Sequence, residues 1–409
     1  RGGRVNLTIE RLGHLGDGVA EGPVFVPRTL PGEVVEGEVS DGRMAEPKIV
    51  TPSPDRVKAP CPHYRACGGC SLMHASDAFV AGWKVGIVQS ALASQGLSAP
   101  MHPILTSPPR SRRRATLAGR RTKTGAMVGF HGRASGTIVE IPECRLLTPA
   151  LVATLPALRE ITIAGASRKG ELDLTVTETE SGIDLAVTGG KPLDSTLFQA
   201  LGTICAKADL ARLTWDGETV VTHRPPFLRF GPARVHLPPG AFLQATREGE
   251  DTLVSAVTEA VGGARRVADL FSGCGTFALP LVARAEVHAA EGDPAMIAAL
   301  EAGWKQAGGL HRLTTEARDL FRRPLLPDEL RPFDALVIDP PRAGAEAQVA
   351  EIARSAVPLV AMVSCNPVTF ARDARVLCDA GFRLDWVQVV DQFRWSPHVE
   401  LAARFLRQA

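Results

Sequence analysis

Beyond about residue 246 the chain alternates short apolar strands with amphipathic helices, and no other feature restricts its possible folds as strongly. Helices are predicted between the strands, for instance over 294–305 and 345–355. Such a rhythm is typical of a doubly wound α/β sheet, in which helices cover both faces of parallel strands. We therefore predict a Rossmann-like domain over 246–409, with candidate parallel strands at 267–271, 287–291, 335–339 and 360–364.

The sequence before this domain is rich in β-strand patterns and divides into two further parts. Residues 1–55 contain short strands separated by Gly and Pro turns, which is typical of a small β-barrel resembling an OB fold. Residues 56–245 form a β-rich central domain, in which an apolar stripe predicts a helix over 83–95. We expect this helix to pack on the C-terminal domain. The predicted fold class is therefore α/β, with two smaller β-rich domains.

Charge and composition exclude several classes of protein. The 46 Lys and Arg residues nearly balance the 44 Asp and Glu residues, so a wholly cationic nucleic-acid binder is excluded. No apolar run is long enough to span a membrane, and the opening stretch Arg1 to Arg4 does not resemble a signal peptide. Eight cysteines in 409 residues are too few for a disulfide scaffold. These features predict a cytoplasmic protein without a membrane partner, and no obligate protein partner is inferred.

A glycine-rich turn follows the strand that carries Asp269. Gly273 and Gly275 let the backbone approach a ligand closely, and the helix that follows offers free N–H groups. Glu291 ends the next strand, where a carboxylate can accept both hydroxyls of a ribose. The turn alone fits a dinucleotide and S-adenosylmethionine equally well. The Asp-Pro-Pro sequence that begins at Asp339 favours S-adenosylmethionine, because it is frequent at this place in methyltransferases.

Cys365 follows a buried-strand pattern, and ligands of open α/β sheets bind at the carboxyl ends of strands. A free cysteine there also packs as a small apolar residue, so the thiol alone is ambiguous. Methylation of carbon 5 of uracil would require it, because a thiolate must first add to carbon 6 and a base must afterwards remove the proton from carbon 5. Glu400, in a His-Val-Glu sequence at the start of the last strand, is the candidate base.

Four cysteines have a spacing typical of metal ligands. Cys61, Cys67 and Cys70 lie close together with two glycines between the last two, and Cys144 lies further along the chain. Four thiolates can hold a four-iron four-sulfur cluster or a tetrahedral zinc ion, and the spacing does not separate the two.

A basic strip runs from Pro108 to Arg133, where eight Lys and Arg residues occur without an intervening acidic residue. Such a strip favours contact with phosphate groups, and a solvated basic face is the alternative. Aromatic residues are nearly absent from it, so base stacking is not expected there. The candidate RNA-binding residues are Arg112, Arg113 and Arg114.

Together these residues resemble the uracil-5 RNA methyltransferase family, in particular its iron–sulfur members that modify 23S ribosomal RNA. The resemblance covers essentially the whole chain and implies that residues 1–55 are a TRAM-like RNA-binding barrel. It identifies Cys365 as the nucleophile and Glu400 as the base, and it favours an iron–sulfur cluster over zinc. It also implies S-adenosylmethionine as methyl donor, bound by Gln244, Phe271, Gly273, Gly275, Thr276, Glu291, Asp319 and Asp339.

The sequence departs from the family at a few positions. Thr276 stands where relatives often have Asn, and Arg394-Trp395 replaces a Pro-polar pair usual before the His-Val-Glu sequence. The N-terminal barrel is also abbreviated after Val39. This shortening and the Arg394-Trp395 pair fall where RNA could be contacted, so they leave the target open between 23S ribosomal RNA, transfer RNA and another uridine. A nicotinamide-dependent oxidoreductase and a non-catalytic RNA-binding protein are the alternatives from other classes.

Overall fold

The protein is described by a computed structural model that covers residues 3–408. Residues 1, 2 and 409 lie outside the described residues. They belong to the predicted first and last domains, and residues 1 and 2 are also part of the opening stretch that was compared with a signal peptide. None of the described helices is both long and apolar enough to cross a membrane.

The N-terminal region is a five-stranded antiparallel sheet with the strand order β3-β2-β1-β4-β5. Its small core is formed by Ile9, Val26, Val35 and Met44, which are all fully buried. A buried His74 fixes this sheet to the cysteine-rich segment, since its Nε2 lies 3.1 Å from the carbonyl oxygen of Thr29. The strands are β1 (Val5–Leu12), β2 (Gly18–Ala20), β3 (Val24–Val26), β4 (Val34–Gly37) and β5 (Lys48–Thr51).

The segment after the cysteine-rich loop joins the C-terminal domain. Helix α1 (Asp77–Ser94) begins at Ser76, whose hydroxyl accepts a hydrogen bond from the N–H of Phe79. Strand β6 (Met101–Thr106) follows and becomes an edge strand of the large C-terminal sheet. The predicted helix over 83–95 therefore exists but starts six residues earlier, because the N-cap at Ser76 rather than the apolar stripe sets its beginning.

A seven-stranded sheet forms the central region, with the order β13-β12-β11-β10-β7-β8-β9 and with helices packed on one face. A separate hairpin of β14 and β15 leads out of it. The elements are β7 (Arg114–Arg121), β8 (Ala126–His131), β9 (Ile138–Glu140), α2 (Pro149–Ala153), α3 (Leu155–Gly165), β10 (Glu171–Thr179), β11 (Gly182–Thr188), α4 (Ser195–Lys207), β12 (Arg212–Trp215), β13 (Glu218–Thr222), β14 (Phe227–Phe230) and β15 (Ala233–His236).

The C-terminal elements are α5 (Arg247–Val261), β16 (Arg266–Leu270), α6 (Ala278–Leu281), β17 (Glu286–Glu291), α7 (Pro294–Ala307), β18 (Leu313–Ala317), α8 (Pro327–Leu330), β19 (Ala335–Ile338), α9 (Glu346–Arg354), β20 (Leu359–Ser364), α10 (Pro367–Asp379), β21 (Phe382–Asp391) and β22 (Glu400–Arg407). They form an eight-stranded sheet with the order β18-β17-β16-β19-β20-β22-β21-β6.

The predicted α/β fold with a doubly wound, Rossmann-like C-terminal sheet is confirmed. Strands β16 to β20 are parallel, and β22 runs antiparallel to both of its neighbours. The strand order reverses between β16 and β19, and the crevice beyond the carboxyl ends of these strands is where such sheets bind ligands. No local pattern indicates that β6 pairs with β21, because Gln388 and Pro103, which share a hydrogen bond there, are 285 residues apart.

A buried ion pair fixes α1 on the C-terminal sheet. The Nζ of Lys84 donates to Oδ1 of Asp391 over 2.6 Å, and both side chains are almost completely inaccessible. Lys84 also donates to the carbonyl oxygen of Phe393, 3.1 Å away. The pKa of Lys84 is lowered by its burial, while the charge of Asp391 opposes that shift. The pair therefore sets the position of α1 relative to the end of β21.

Replacing Lys84 by Met should lower the free energy of unfolding by about 3–5 kcal/mol, because the carboxylate of Asp391 would remain buried without its partner. Urea denaturation measures this loss. Adding Asp391→Asn should restore part of it, since no unpaired charge then remains. Lys48→Met is the control: its exposed pair with Glu36 spans 4.0 Å, so the change should stay below about 1 kcal/mol. Equal stability of the Lys84→Met and Lys48→Met variants would contradict this account.

Candidate active site

The glycine-rich turn at the end of β16 has an unusual backbone. Phe271 adopts a left-handed conformation with φ of 62°, which is costly for a residue with a side chain, and Gly273 and Gly275 also have positive φ. A Cβ atom on Gly275 would lie 2.9 Å from the side chain of Leu279, so only glycine fits there. The N–H groups of Gly273 and Gly275 are paired within the protein, with Glu291 and with the carbonyl oxygen of Ser272 respectively.

Glu291 supports this turn from the neighbouring strand. Its carboxylate accepts hydrogen bonds from the N–H groups of Gly273, over 2.9 Å, and Asp293, over 3.0 Å. Each carboxylate oxygen keeps a free lone pair for a ligand hydroxyl. Thr276 is half-buried within the turn. The structure therefore brings the turn residues and Glu291 together.

An aromatic pair lies beside the same crevice. The rings of Phe271 and Phe321 are 5.4 Å apart and tilted by 57°. Asp319, two residues after β18, accepts a hydrogen bond from the N–H of Phe321 over 3.0 Å, which orders this loop. Phe271 and Asp319 were both predicted from the sequence, whereas Phe321 was not.

Several carboxyl groups lie close together at the carboxyl ends of β16, β17 and β19 and at the start of β22. Asp269 is fully buried, and within the described chain neither of its carboxyl oxygens has a hydrogen-bond partner. Burial, and then the charge of Asp339, raise the pKa of Asp269 well above its usual range. Burial and the charge of Glu291 raise the pKa of Asp339 to about 7. A positively charged ligand in this crevice would favour the ionised forms of these groups.

Cys365 follows β20 directly and is half-buried next to these carboxyl groups. Burial, followed by the charges of Glu400 and Asp339, raises the pKa of its thiol to about 11, while Arg342 acts in the opposite direction. Asn366 caps α10 and donates from its side chain to the carbonyl oxygen of Arg342 over 3.0 Å, which holds Arg342 beside the thiol.

Glu400 is the first residue of β22 and is buried. Burial, followed by the charge of Asp339, raises its pKa well above the usual range, and a hydrogen bond from Gln392 partly offsets this. The amide of Gln392 also donates to Oε1 of Gln244 over 2.7 Å. The structure thus brings together Cys365, Glu400, Asp339 and Gln244, which the sequence predicted separately. The sequence analysis missed Gln392 and Arg342, although both stand within a few residues of predicted site positions.

The loop of residues 392–399 connects β21 to Glu400 and is held from outside the C-terminal domain. Arg394 binds both carboxylate oxygens of Asp77, at 2.9 and 2.8 Å. The carbonyl oxygen of Trp395, a left-handed residue with φ of 61°, accepts hydrogen bonds from the N–H groups of Ser71 and Leu72. Cys70 precedes these two residues, so the cysteine-rich segment directly supports the loop.

The four predicted metal ligands line one small cavity. Cys61, Cys67 and Cys70 reach it from one segment and Cys144 from another, and burial raises the pKa of each thiol. Within residues 3–408, however, no three His, Cys, Asp or Glu side chains are arranged to hold a metal ion.

The predicted basic residues do not share one surface. Arg113 is buried, its guanidinium pairs with Glu250 over 2.5 Å, and its Nε donates to the carbonyl oxygen of Gln244. This arrangement leaves Arg113 unavailable to phosphate and makes it a support of the site. The guanidinium of Arg112 lies over the ring of Phe393, 5.2 Å from its centre. Arg114 is half-buried and does not line the groove described in the next paragraph.

A broad groove with about 1360 Å³ of space separates the N-terminal sheet, the cysteine-rich segment and the 392–399 loop. At its base Asp17 binds Arg43 over 3.0 Å and Arg133 over 2.7 Å, which joins the N-terminal sheet to the central region. Arg112, Arg394 and His398 line another side of it. The lining residues of the groove therefore include four arginines and one acidic residue, Asp17, and they reach His398, two positions before Glu400 in the chain.

Comparison with known proteins gives consistent matches. A family model described as tRNA (uracil-5-)-methyltransferase matches residues 307–408. An uncharacterized RNA methyltransferase of Brucella suis biovar 1 is 44% identical over 400 residues, covering 97% of this chain and 96% of its own. A 23S rRNA (uracil(1939)-C(5))-methyltransferase of Shewanella amazonensis is 30% identical over 426 residues, covering 98% of this chain and 95% of its own.

One solved structure has a similar fold over the whole chain. It is the tRNA (uracil-54, C5)-methyltransferase of Pyrococcus abyssi in complex with S-adenosyl-L-homocysteine, with a TM-score of 0.77 and 23% sequence identity. The match covers 98% of this chain and 100% of the other.

Proposed function

Because the chain belongs to the RNA (uracil-5-)-methyltransferase family, we propose that it methylates carbon 5 of a uridine through a covalent adduct with Cys365. The observation that carries the proposal is the convergence of the Cys365 thiol and the Glu400 carboxyl group beside the glycine-rich turn. A nucleophile, a base and a cofactor turn at one sheet edge are what this chemistry needs.

S-adenosylmethionine supplies an electrophilic methyl group and carries positive charge, which complements the carboxyl groups of the crevice. In this proposal Glu291 accepts the ribose hydroxyls, while Gly273, Gly275 and Thr276 let the backbone approach the donor. The remaining contacts come from Gln244, Phe271, Asp319 and Asp339.

In the proposed mechanism the Cys365 thiolate adds to carbon 6 of the uracil, which places negative charge on the C5 side of the ring. The positively charged Arg342 favours the thiolate, whereas the charges of Glu400 and Asp339 oppose it. After carbon 5 has taken the methyl group, Glu400 in its carboxylate form removes the C5 proton. The electrons of that C–H bond then restore the ring double bond and expel the thiolate.

The RNA target is proposed to be 23S ribosomal RNA, because the whole-chain relative at 30% identity is named for that substrate. Transfer RNA is the other candidate. We propose that the N-terminal sheet, as a TRAM-like module over residues 1–55, and the groove beside it hold the RNA. The central and catalytic units would span 56–245 and 246–409, with α1 and β6 serving the catalytic sheet. Such an RNA-modifying enzyme would act in the cytoplasm.

The four cysteines are proposed to hold a four-iron four-sulfur cluster. Their donor set suits it, because four thiols line one cavity bounded by apolar side chains. The resemblance of Cys61, Cys67, Cys70 and Cys144 to the ligands of the family's iron–sulfur members favours this cluster over zinc. The cluster would have a structural role, since methyl transfer by thiolate addition needs no electron.

The first prediction from this proposed function separates the nucleophile from the base. Cys365→Ala should abolish methylation and every covalent RNA adduct. Glu400→Gln should accumulate a methylated RNA–protein adduct that survives denaturing gel electrophoresis, because addition and methyl transfer precede proton removal. An adduct that persists in Cys365→Ala, or turnover without adduct in Glu400→Gln, would contradict these roles. Cys378→Ser, a half-buried cysteine on α10, serves as the control for thiol loss.

A second prediction concerns metal. Protein purified without oxygen should be brown and contain about four iron atoms per chain. Cys70→Ser should lose iron and fold in lower yield, because ligation contributes to folding stability. Cys378→Ser should retain the iron. Elemental analysis measures both variants, and zinc without iron in the anaerobic protein would refute the cluster.

A third prediction concerns the groove. Arg112→Gln should weaken RNA binding and reduce the slope of log affinity against log salt by a little under one unit, about 0.7–0.9, as expected for one lost phosphate contact. Lys123→Gln removes a cation from the same basic strip but away from the groove, so its slope should match the unmodified protein. If both variants changed the slope equally, the groove would not be the RNA site.

A further inference from the structure

A single buried amide links the two halves of the site. Nε2 of Gln392 donates to Oε1 of Gln244 over 2.7 Å and to Oε2 of Glu400 over 3.3 Å. All three side chains are at least 96% buried, so water does not compete for these hydrogen bonds. One N–H of the amide therefore binds Gln244, the proposed contact to the methyl donor, and the other N–H binds Glu400, the proposed base.

The orientation of this amide is fixed by its surroundings. Oε1 of Gln392 is buried and has no hydrogen-bond partner among the residues that the structure describes. A flipped amide would place this oxygen against two other acceptors, Oε1 of Gln244 and Oε2 of Glu400. Both N–H groups must consequently point at Gln244 and Glu400, even though the carbonyl end remains unpaired.

The first turn of α5 leaves the space for this side chain. A Cβ atom on Gly249 would lie 2.5 Å from Cβ of Gln392 and 2.7 Å from its Oε1. Thr246 caps the helix by accepting from the N–H of Gly249 over 2.9 Å. Arg113 holds the carbonyl oxygen of Gln244 from the other side. The amide of Gln392 is thus enclosed by α5, the 392–399 loop and Gln244.

We propose that Gln392 is a positioning residue that orients Glu400 toward the substrate and Gln244 toward the methyl donor at the same time. The inference rests on the proposed function, because it takes Glu400 as the base and Gln244 as a donor contact. In this assignment Gln392 contacts neither the uracil nor the methyl donor and acts through Glu400 and Gln244.

The bridge also favours the ionised form of Glu400. The groups that face this carboxyl are Asp339 at the end of β19, Cys365 at the end of β20 and the amide of Gln392, with Arg342 and His398 further out. Burial and Asp339 raise the pKa of Glu400, and the N–H of Gln392 lowers it. Loss of this N–H would raise the pKa further, so the active carboxylate would form only at higher pH.

The test compares Gln392→Leu with Gln348→Leu. Gln348 is also fully buried and also loses two hydrogen bonds on substitution, both to the main chain of Leu325, but it lies outside the site. Two quantities are measured for each variant: the rate at which the trapped RNA adduct breaks down as a function of pH, and the affinity for S-adenosylmethionine by calorimetry.

Gln392→Leu should slow adduct breakdown at least tenfold at neutral pH, and the acid limb of its pH profile should move up by about one unit, as expected for a lost hydrogen bond to a charged group. Its affinity for S-adenosylmethionine should also fall. Gln348→Leu should change neither quantity. An unmoved pH profile, or an unchanged donor affinity, in Gln392→Leu would overturn the proposal.

The Glu400→Gln variant separates this inference from the proposed function. If that variant turned over without an adduct, the assignment of the base would fail, and the donor affinity of Gln392→Leu alone would then decide whether the bridge positions Gln244. If Glu400→Gln accumulated adduct while Gln392→Leu resembled Gln348→Leu, the base would stand and the positioning role would fall.

Discussion

The site depends on one buried ion pair, between Lys84 on α1 and Asp391 at the end of β21. Burying two charges costs free energy unless the two groups bind each other with good geometry. The ion pair therefore holds α1 in one position on the sheet. Asp391 also accepts from the N–H of Phe393, and Lys84 donates to the carbonyl oxygen of the same residue. The start of the 392–399 loop is therefore fixed by the charges that fix the helix.

The 392–399 loop connects this ion pair to two other regions, the proposed base and the cysteine-rich segment. At its near end Gln392 contacts Glu400, and at its middle the carbonyl oxygen of Trp395 is held by the residues that follow Cys70. The position of the proposed base is thus set jointly by the catalytic sheet and by the cysteine-rich segment. The proposed cluster would thus support the loop that leads to Glu400, in a proposed reaction that requires no electron transfer.

Local patterns sufficed to predict the parts of the site that lie on single strands. The glycine-rich turn, Glu291, Asp339 and Cys365 each follow an apolar strand, and parallel strands present their carboxyl ends at one edge. Three features escaped prediction because they depend on distant contacts. The pattern of the basic strip did not indicate that Arg113 forms an ion pair with Glu250, which lies 137 residues away in the sequence. The pairing of β6 with β21 and the bridge made by Gln392 likewise join segments whose proximity no local periodicity encodes.

The separation between Lys84 and Asp391 has a consequence for how the protein is made. The two residues are 307 positions apart, and Arg394 and Asp77 are 317 apart. During synthesis the N-terminal sheet and the cysteine-rich segment emerge from the ribosome long before the strands that complete the site. Helix α1 must wait with an unpaired lysine on its apolar face until residues near 391 arrive. A nascent chain thus holds its N-terminal sheet early, whereas the groove side lined by Arg394 and His398, like the proposed base Glu400, is completed only at the end of translation.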